Sequence, residues 1–296
     1  MALLPLISLI ALGYVLQRSY FLSAEFWRGA ERLNYFVLFP VLLFSNLAFV
    51  DLDLANLVRV LLAMLLGILG VSLGLWIAKF CFAIQPEQFG VYVQSHIRFN
   101  TYIGLALVSS LLGHQGMQIF AMMIAVAIPT VNIISLLAFS QQNNNWRSTV
   151  LAIVKNPLIL GCVVGILFNL TGFKLLIGIQ EFIRLLASVS LPLGLLTVGA
   201  ALQFQALKRD IWRLSFNSIG RLLFVPLIGY SLARSLGLDD LETLIVTLFF
   251  ALPTASASYI LTRYLKGDYQ LMAGMISLQT LMFVLSFPVL MFALKL

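Results

Sequence analysis

The sequence predicts an all-α integral membrane protein with ten transmembrane helices, arranged as two inverted five-helix repeats. The first observation behind this fold class is composition: 61% of the 296 residues are hydrophobic, 10% are charged, and the mean hydropathy is +1.03. Soluble domains do not reach these values. The second is a series of apolar runs separated by short connectors, and the third is an internal repeat. Because the connectors leave no room for a soluble domain, we expect residues 1–296 to form a single membrane domain.

Ten apolar segments have the length that a helix needs to cross the bilayer. We expect these spans at about 3–17, 31–50, 58–83, 88–111, 116–140, 149–171, 177–204, 213–236, 241–264 and 269–294. An even number of spans leaves both termini on the same side of the membrane.

Charge in the connectors predicts the orientation. Most connector Lys and Arg residues, such as Arg18, Arg147 and Lys208, fall on one side, whereas Asp51 and Asp239 fall on the other. The basic side is cytoplasmic by the positive-inside rule, so we expect a multi-pass protein of the plasma (bacterial inner) membrane with both termini outside. The net charge of +7 then reflects orientation in a lipid bilayer, and no nucleic-acid partner is expected.

The two halves of the chain share residues at a nearly constant offset. An offset of 152 aligns Pro5 with Pro157, Gly13 with Gly165, Arg32 with Arg184 and Pro40 with Pro192, and an offset of 153 aligns Thr101 with Thr254. We therefore predict repeat one at 1–145 and repeat two at 146–296. Because each repeat holds five spans, an odd number, the second repeat enters the membrane in the opposite orientation, as in many secondary transporters.

A polar stretch interrupts the fourth span at 94–104. Its polar side chains, including His96, Arg98 and Asn100, fall on several sides of one helix, so they must line protein or water rather than lipid. Arg98 lies eleven residues after Glu87, about 16 Å along a helix and near the middle of the hydrocarbon core. An Arg at that depth indicates a functional site; alternatively, Arg98 caps carbonyl groups of the broken ninth helix without touching a ligand.

Pro253 predicts a break at the equivalent place in the ninth span. Proline removes a helix hydrogen bond, and the following Thr254 and Ser256 satisfy the freed groups. Glu242 lies on the opposite face of the membrane from Glu87, and Pro253 lies eleven residues after it, at about the same depth as Arg98. The two broken helices are thus expected to cross at the midplane, where half-helix N-termini favour an anion.

Other polar residues in the spans have two interpretations each. His96 is either a proton site or a neutral, hydrogen-bonded core residue. Asn100 and Thr101 either orient a ligand or satisfy open backbone groups. Asn46, Asn132 and Gln279 either contact a ligand or form interhelical hydrogen bonds.

The sequence lacks the residues and motifs that several classes of function require. No Asp or Glu lies deep in a span, so a proton relay or sodium site built on buried carboxylates is unsupported. The sequence has no GxxxxGK[ST] phosphate loop, nucleophile elbow or HExxH motif, and Cys81 and Cys162 lack metal-ligand spacing. We therefore expect no enzyme activity, no cofactor and no metal site.

Six motifs in order along the chain resemble those of the auxin efflux carrier family, which includes the plant PIN-FORMED auxin exporters and bacterial permeases. These motifs are 98–104 (RFNTYIG), 128–132 (IPTVN), 156–159 (NPLI), 192–202 with its PLGLL and GAAL segments, 253–259 (PTA with a Tyr), and 279–280 (QT). The resemblance implies a fold similar to that of bile-acid sodium symporters. It also implies a scaffold of helices 1, 2, 6 and 7 that makes a homodimer, and a mobile transport domain of helices 3–5 and 8–10.

The resemblance places the family's fourth-span asparagine at Asn100 and its ninth-span crossover proline at Pro253. Two features depart from the plant carriers. No proline lies between Pro86 and Pro129, which weighs against full unwinding of the fourth span. The central connector Gln141–Ser148 is short, whereas plant carriers often have a long hydrophilic loop there, so the chain is expected to be of the bacterial type.

The sequence therefore predicts a secondary active or facilitative transporter of a small organic anion, auxin-like or a dicarboxylate, working by elevator-type alternating access. The predicted substrate-binding residues are Arg98, Asn100, Thr101, Tyr102, Pro253, Thr254, Ser256, Asn132, Gln279 and Asn46, with His96 as a possible proton site. An anion channel and a ligand sensor that transports nothing are the alternatives. Export and import remain open at this point, as do uniport and ion coupling.

Overall fold

The computed structural model describes residues 3–49, 54–139, 151, 154–173, 175–208 and 210–295, and these residues form helices and connectors without a β-strand. In chain order, the helices of the first half are α1 (Leu3–Arg18), α2 (Ala24–Leu33), α3 (Phe39–Leu47), α4 (Leu54–Cys81), α5 (Pro86–Ile97) and α6 (Thr101–Ala138). Those of the second half are α7 (Pro157–Thr171), α8 (Ile177–Ala200), α9 (Ile211–Ile219), α10 (Val225–Ser235), α11 (Asp240–Ala251), α12 (Ala257–Tyr264) and α13 (Tyr269–Leu294).

Two of the predicted spans contain a π-helical turn. Asn34–Leu38 joins α2 to α3, and Gly220–Phe224 joins α9 to α10. A π turn adds a residue to the helix and turns the neighbouring side chains to a different side, and such turns are frequent at functional sites. A short 3-10 helix, Phe204–Lys208, follows α8.

The predicted spans agree closely with the helices where both are described. The tenth span has the bounds of α13, whereas the second begins earlier than predicted, at Ala24, because Ser23 caps that end through a bond from the Phe26 amide. Gly113, with φ 60° and ψ −147°, kinks α6 between the predicted fourth and fifth spans. The connector Gln141–Ser148 lies outside the described residues.

The helices have the length and surface of membrane-spanning elements. Within the described residues, five helical stretches are long and apolar enough to cross a bilayer: Leu57–Cys81, Glu87–Ala138, Ile177–Ala200, Ile211–Ser235 and Tyr269–Leu294. On α13, Leu281, Leu285, Val289 and Phe292 form an exposed apolar stripe at helical spacing. A stripe of this kind is unfavourable in water and favourable against lipid.

The chain divides into two compact units. Unit 1 comprises Met1–Asp53, Leu105–Pro129 and Asn145–Ala201. Unit 2 comprises Leu54–Gly104, Thr130–Asn144 and Leu202–Leu296. Unit 2 contains both interruptions that the sequence predicts in the fourth and ninth spans.

Glycine contacts hold unit 1 together. A Cβ atom on Gly13 of α1 would lie 2.1 Å from the carbonyl oxygen of Leu196 in α8, and one on Gly165 of α7 would lie 3.2 Å from the backbone of Phe44 in α3. The two pairs, Gly13 with Leu196 and Phe44 with Gly165, are related by the offset of 152 found in the sequence. Small residues at these positions let the helix backbones approach closely, as is common in membrane proteins.

Aromatic packing positions the end of α11 in unit 2. The ring of Phe250 lies against two glycines, Gly67 of α4 and Gly229 of α10, where a Cβ atom would come within 2.4 Å and 2.3 Å of it. The neighbouring Phe249 packs on Phe99 with ring centroids 4.4 Å apart. These contacts fix the last turn of α11 and the interruption that contains Phe99 relative to each other.

The contact between α1 and α8 gives a test of this packing. A Cβ atom on Gly199 would lie 1.9 Å from the carbonyl oxygen of Ile10, so Gly199→Ala must push the two helices apart, at a cost of about 1–3 kcal/mol. Gly178→Ala on the same helix is the matched control, because no atom lies within 4 Å of the added methyl group. Thermal unfolding of the purified protein in detergent should show a lower Tm for the first variant only; equal Tm values would contradict the packing described.

Candidate functional site

Two interrupted helices form the centre of the candidate site. The α5 helix ends at Ile97, and the backbone at Arg98 and Asn100 is extended before α6 begins at Thr101. The Asn100 side chain caps α6 by accepting a hydrogen bond of 3.2 Å from the Ile103 amide. Asparagine is among the preferred N-cap residues because its side-chain oxygen satisfies a free amide of the first turn.

The second interruption separates α11 from α12. Leu252, with φ −61° and ψ 142°, leaves the helical conformation directly before Pro253, as steric contact with a proline ring favours. Residues 252–256 then run without regular structure to α12. The break predicted at Pro253 is therefore present.

A backbone hydrogen bond joins the two interruptions. The Asn100 amide donates to the Pro253 carbonyl oxygen over 2.8 Å, and both residues are buried. The absence of proline left open whether the fourth span unwinds, and the structure breaks it over the three residues between Ile97 and Thr101. The fourth span opens without proline because the Asn100 amide finds its acceptor in the other broken helix, while the Asn100 side chain starts the next one.

Side chains from the ninth and tenth spans extend this contact into a network. The Thr254 hydroxyl lies 2.6 Å from Gln279 Oε1 and 2.8 Å from the Ser95 carbonyl oxygen, both acceptors for its single proton. Gln279 Oε1 also accepts from the Thr254 amide at 3.0 Å, and Gln279 Nε2 donates to Asn217 Oδ1 at 3.1 Å. Gln279 of α13 thus connects the ninth-span break to α9. All four residues are fully or almost fully buried.

His96 lies at the edge of the network. Its Nδ1 is 2.9 Å from the Tyr92 carbonyl oxygen and 3.3 Å from Asn217 Nδ2. A carbonyl oxygen only accepts and an amide nitrogen only donates, so Nδ1 bonds to Tyr92 when it carries the ring proton and to Asn217 when it does not. Nε2 lies on the side of Gly220, where a Cβ atom would be 3.1 Å away.

Arg221 is a central residue of the site that the sequence analysis did not single out. It lies in the π turn between α9 and α10 and is fully buried. Its Nε donates to the Leu252 carbonyl oxygen at 3.0 Å, and its Nη1 donates to the His96 carbonyl oxygen. One guanidinium therefore binds the carboxyl ends of both α5 and α11, where free carbonyl groups and the helix dipoles favour a cation. The cap proposed as the alternative role of Arg98 is made at Leu252 by Arg221.

The predicted residues of the fourth span occupy different environments. Arg98 is half-buried, and its Nη1 lies 3.4 Å from Gln94 Oε1. Gln94 also donates from Nε2 to the Thr262 hydroxyl of α12 at 2.9 Å, so it links the two broken helices a second time. Thr101 and Tyr102, in the first turn of α6, are half-buried.

The remaining predicted residues are divided between the units. Asn132 of α6 and Ser256 belong to unit 2 and are half-buried. Asn46 of α3 belongs to unit 1, and its amide donates to the Leu42 carbonyl oxygen in the same helix over 2.8 Å. That bond is neither of the contacts predicted for Asn46.

Unpartnered polar atoms concentrate at the interruptions. Among the described residues, seven buried side-chain nitrogen or oxygen atoms lack a hydrogen-bond partner, and five of them lie in unit 2: Asn100 Nδ2, Ser218 Oγ, Arg221 Nη2, Ser256 Oγ and Ser258 Oγ. An unsatisfied buried polar group costs about 1–3 kcal/mol, so such groups are expected where a ligand or water binds. No group of three metal-ligating His, Cys, Asp or Glu side chains occurs in the same described residues.

Comparisons with known proteins give matches along nearly the whole chain. The sequence profile of a family described as membrane transport protein matches residues 1–150 and 141–291. An uncharacterized transporter of Methanothermobacter thermautotrophicus is 22% identical over 288 residues, which cover 96% of this chain and 95% of that protein. An uncharacterized transporter of Methanocaldococcus jannaschii is 23% identical over 226 residues, 74% of this chain and 72% of its own length.

The hydroxyl of Thr254 offers a test of the network. Thr254→Val removes the donor to Ser95 and Gln279, and we expect a loss of about 1–3 kcal/mol of stability. Thr247→Val is the matched control, because the Thr247 hydroxyl is equally buried but bonds only to Thr243 in its own helix. Thermal unfolding should show the larger decrease in Tm for Thr254→Val; a larger effect at Thr247 would contradict the network.

Proposed function

Because the chain belongs to the membrane transport protein family, the family of the auxin efflux carriers, we propose that it carries a small organic anion across the membrane. It is a multi-pass membrane transporter, and the relatives that match it are described as transporters. The proposed substrate is auxin-like or a dicarboxylate, and the proposed mechanism is secondary active or facilitative transport by elevator-type alternating access. The contact between Asn100 and Pro253, together with the unpartnered donors of unit 2, is the observation that carries this proposal.

The unpartnered atoms favour an anion. Asn100 Nδ2 and Arg221 Nη2 are buried, carry hydrogen, and can only donate, and the Ser256 hydroxyl can donate as well. A carboxylate accepts hydrogen bonds at both oxygens and donates none, so it matches these groups. In the sequence, no Asp or Glu occurs between Glu87 and Glu181 or between Glu242 and Asp268, so no acidic side chain of the interrupted segments themselves competes with such a ligand.

The ligand contacts proposed from the sequence fit this arrangement in part. We propose that Asn100 and Ser256 contact the anion directly, with Thr101, Tyr102 and Asn132 nearby. Thr254 and Gln279 hold the broken helices through the bonds described above and would act by positioning them. Arg98 would contribute positive potential, and His96 remains a proposed proton site.

The proposal includes two inverted five-helix repeats and a moving domain. The paired glycine contacts of unit 1 support the repeat, since they follow the offset of 152. The division into two units supports a scaffold made of the predicted spans 1, 2, 6 and 7 and a transport domain made of the predicted spans 3–5 and 8–10. Residues 105–129, from the predicted fourth and fifth spans, cluster instead with unit 1.

The remaining parts of the proposal concern the setting of the protein. We propose a location in the plasma membrane with both termini outside, on the basis of the connector charges. We also propose a homodimer through the scaffold helices, which the family resemblance implies. As a transporter, the protein is proposed to act without catalysing a reaction.

Asn100→Asp tests the anion site. The aspartate keeps the side-chain oxygen that caps Ile103 but replaces the unpartnered donor by a negative oxygen, so the fold should persist while the anion is repelled. In proteoliposomes, uptake of labelled mono- and dicarboxylates, including indole acetate and malate, should be saturable for the wild type. For the variant we expect uptake at least tenfold lower.

Asn156→Asp is the matched control, since Asn156 caps α7 through bonds from Leu158 and Ile159 in the same way and lies in unit 1. Its uptake should stay within twofold of the wild type. Uptake that does not saturate, together with single-channel openings in electrical recording, would indicate an anion channel instead. Binding of a carboxylate without any flux would indicate a sensor.

A further inference from the structure

The guanidinium of Arg221 binds oxygen atoms of the kind that hold a coupling ion in other transporters. In secondary transporters with broken helices, unwound backbone carbonyls and half-helix carboxyl ends coordinate Na⁺ or H⁺. Here the carbonyl oxygens of His96, in the last turn of α5, and Leu252, at the end of α11, both accept hydrogen bonds from Arg221. The cation at these carbonyl ends is therefore part of the chain itself.

A metal ion is disfavoured while Arg221 is in place. Two unit positive charges about 4 Å apart in a protein interior repel strongly enough to weaken binding on the order of a thousandfold. The neighbouring carbonyls of Ser95 and Pro253 are also occupied, by the Thr254 hydroxyl and the Asn100 amide. A sodium ion would thus have to share these oxygens with bound donors, and the interrupted segments offer it no compensating carboxylate.

The π turn explains how the side chain reaches both helix ends. Arg221 is the second residue of Gly220–Phe224, and Gly220 faces the His96 ring, where a Cβ atom would lie 3.1 Å from Nε2, so the missing Cβ lets the turn pack close to the histidine. With Nε and Nη1 bonded to the two carbonyls, only Nη2 remains without a partner. The guanidinium is buried as a built-in ligand of the two broken helices rather than as an isolated surface charge.

We propose that Arg221 is a resident cation that takes the place of a coupling ion, so that the carrier needs no co-transported metal ion. Its removal leaves a vacant cation site between the carbonyl groups of His96 and Leu252, of a shape and polarity that suit a guanidinium ion. The first statement rests on the proposed function, since it concerns flux. The second rests only on the geometry of unit 2.

The vacant site is tested by thermal unfolding of Arg221→Ala in detergent. Guanidinium chloride, NaCl and choline chloride are compared at low millimolar concentration and constant ionic strength. We expect the variant to have a lower Tm than the wild type, and guanidinium alone to recover at least half of the difference, saturably. The wild type should give the same Tm in all three salts. A variant with the Tm of the wild type, or with no specific response to guanidinium, would overturn the proposal.

Arg221→Lys and Arg184→Ala complete the series. The lysine keeps the charge but bonds fewer carbonyl groups, so its Tm should lie between those of Arg221→Ala and the wild type. If Arg221→Ala is too unstable to purify, the lysine variant should still be purified and should have a lower Tm than the wild type. The proposal is contradicted if the lysine variant is no more stable than Arg221→Ala. Where Arg221→Ala cannot be purified, it is contradicted if the lysine variant is as stable as the wild type. Arg184 is exposed and paired with Glu181, so its removal should show no response to guanidinium, and a response there would mark the effect as unspecific.

Transport measurements test the first statement, that the carrier needs no co-transported metal ion. In proteoliposomes, carboxylate uptake by the wild type should change less than twofold when choline replaces Na⁺ on both sides, and an inward Na⁺ gradient should cause no accumulation. Accumulation driven by Na⁺ would overturn the resident-cation proposal while leaving anion transport intact. If no carboxylate is transported under any condition, the proposed function fails, and the unfolding experiments still decide whether Arg221 fills a cation site.

Discussion

The structure of unit 2 depends on one constraint: backbone groups freed inside a membrane protein must find partners within the protein. At membrane depth no bulk water is available to them, and each unsatisfied group costs several kcal/mol. The broken fourth and ninth spans expose such groups at Ser95, His96, Asn100 and Leu252–Thr254. The Asn100 amide and the Pro253 carbonyl satisfy each other, and the remaining groups are satisfied by Arg221, Thr254 and Gln279. Each break is therefore stabilised in part by polar groups of the other.

The sequence predicts one of the two breaks directly and the other only through its context. Pro253 marks the ninth-span break locally, since the residue before a proline leaves the helical conformation. The fourth-span break has no such signal, because Asn100 is bonded to a residue 153 positions away in the chain. Arg98 lies eleven residues after Glu87, and Pro253 lies eleven residues after Glu242. This equal depth predicted that the two breaks meet.

Arg221 shows why part of the site was missed. The argument that an Arg deep in a span is costly applies to Arg221 as well as to Arg98, and its position within the eighth span was a usable signal. Asn217 and Ser218 before it and Pro226 after it were further signals in the same span. What the sequence does not contain is the π turn, which arises from packing and turns Arg221 towards the two helix ends. Asn46 illustrates the opposite case, in which a polar residue in a span bonds within its own helix.

The asymmetry between donors and acceptors at the breaks follows from these bonds. Four carbonyls at the breaks accept a hydrogen bond: that of Ser95 from Thr254, those of His96 and Leu252 from Arg221, and that of Pro253 from Asn100. The atoms left over at Asn100 and Arg221 are N–H donors. A carboxylate brings only acceptors, two oxygens that can each receive such a donor, and needs no acceptor from the protein. The bonds that hold the broken helices together thus leave donors where the proposed organic anion would need them.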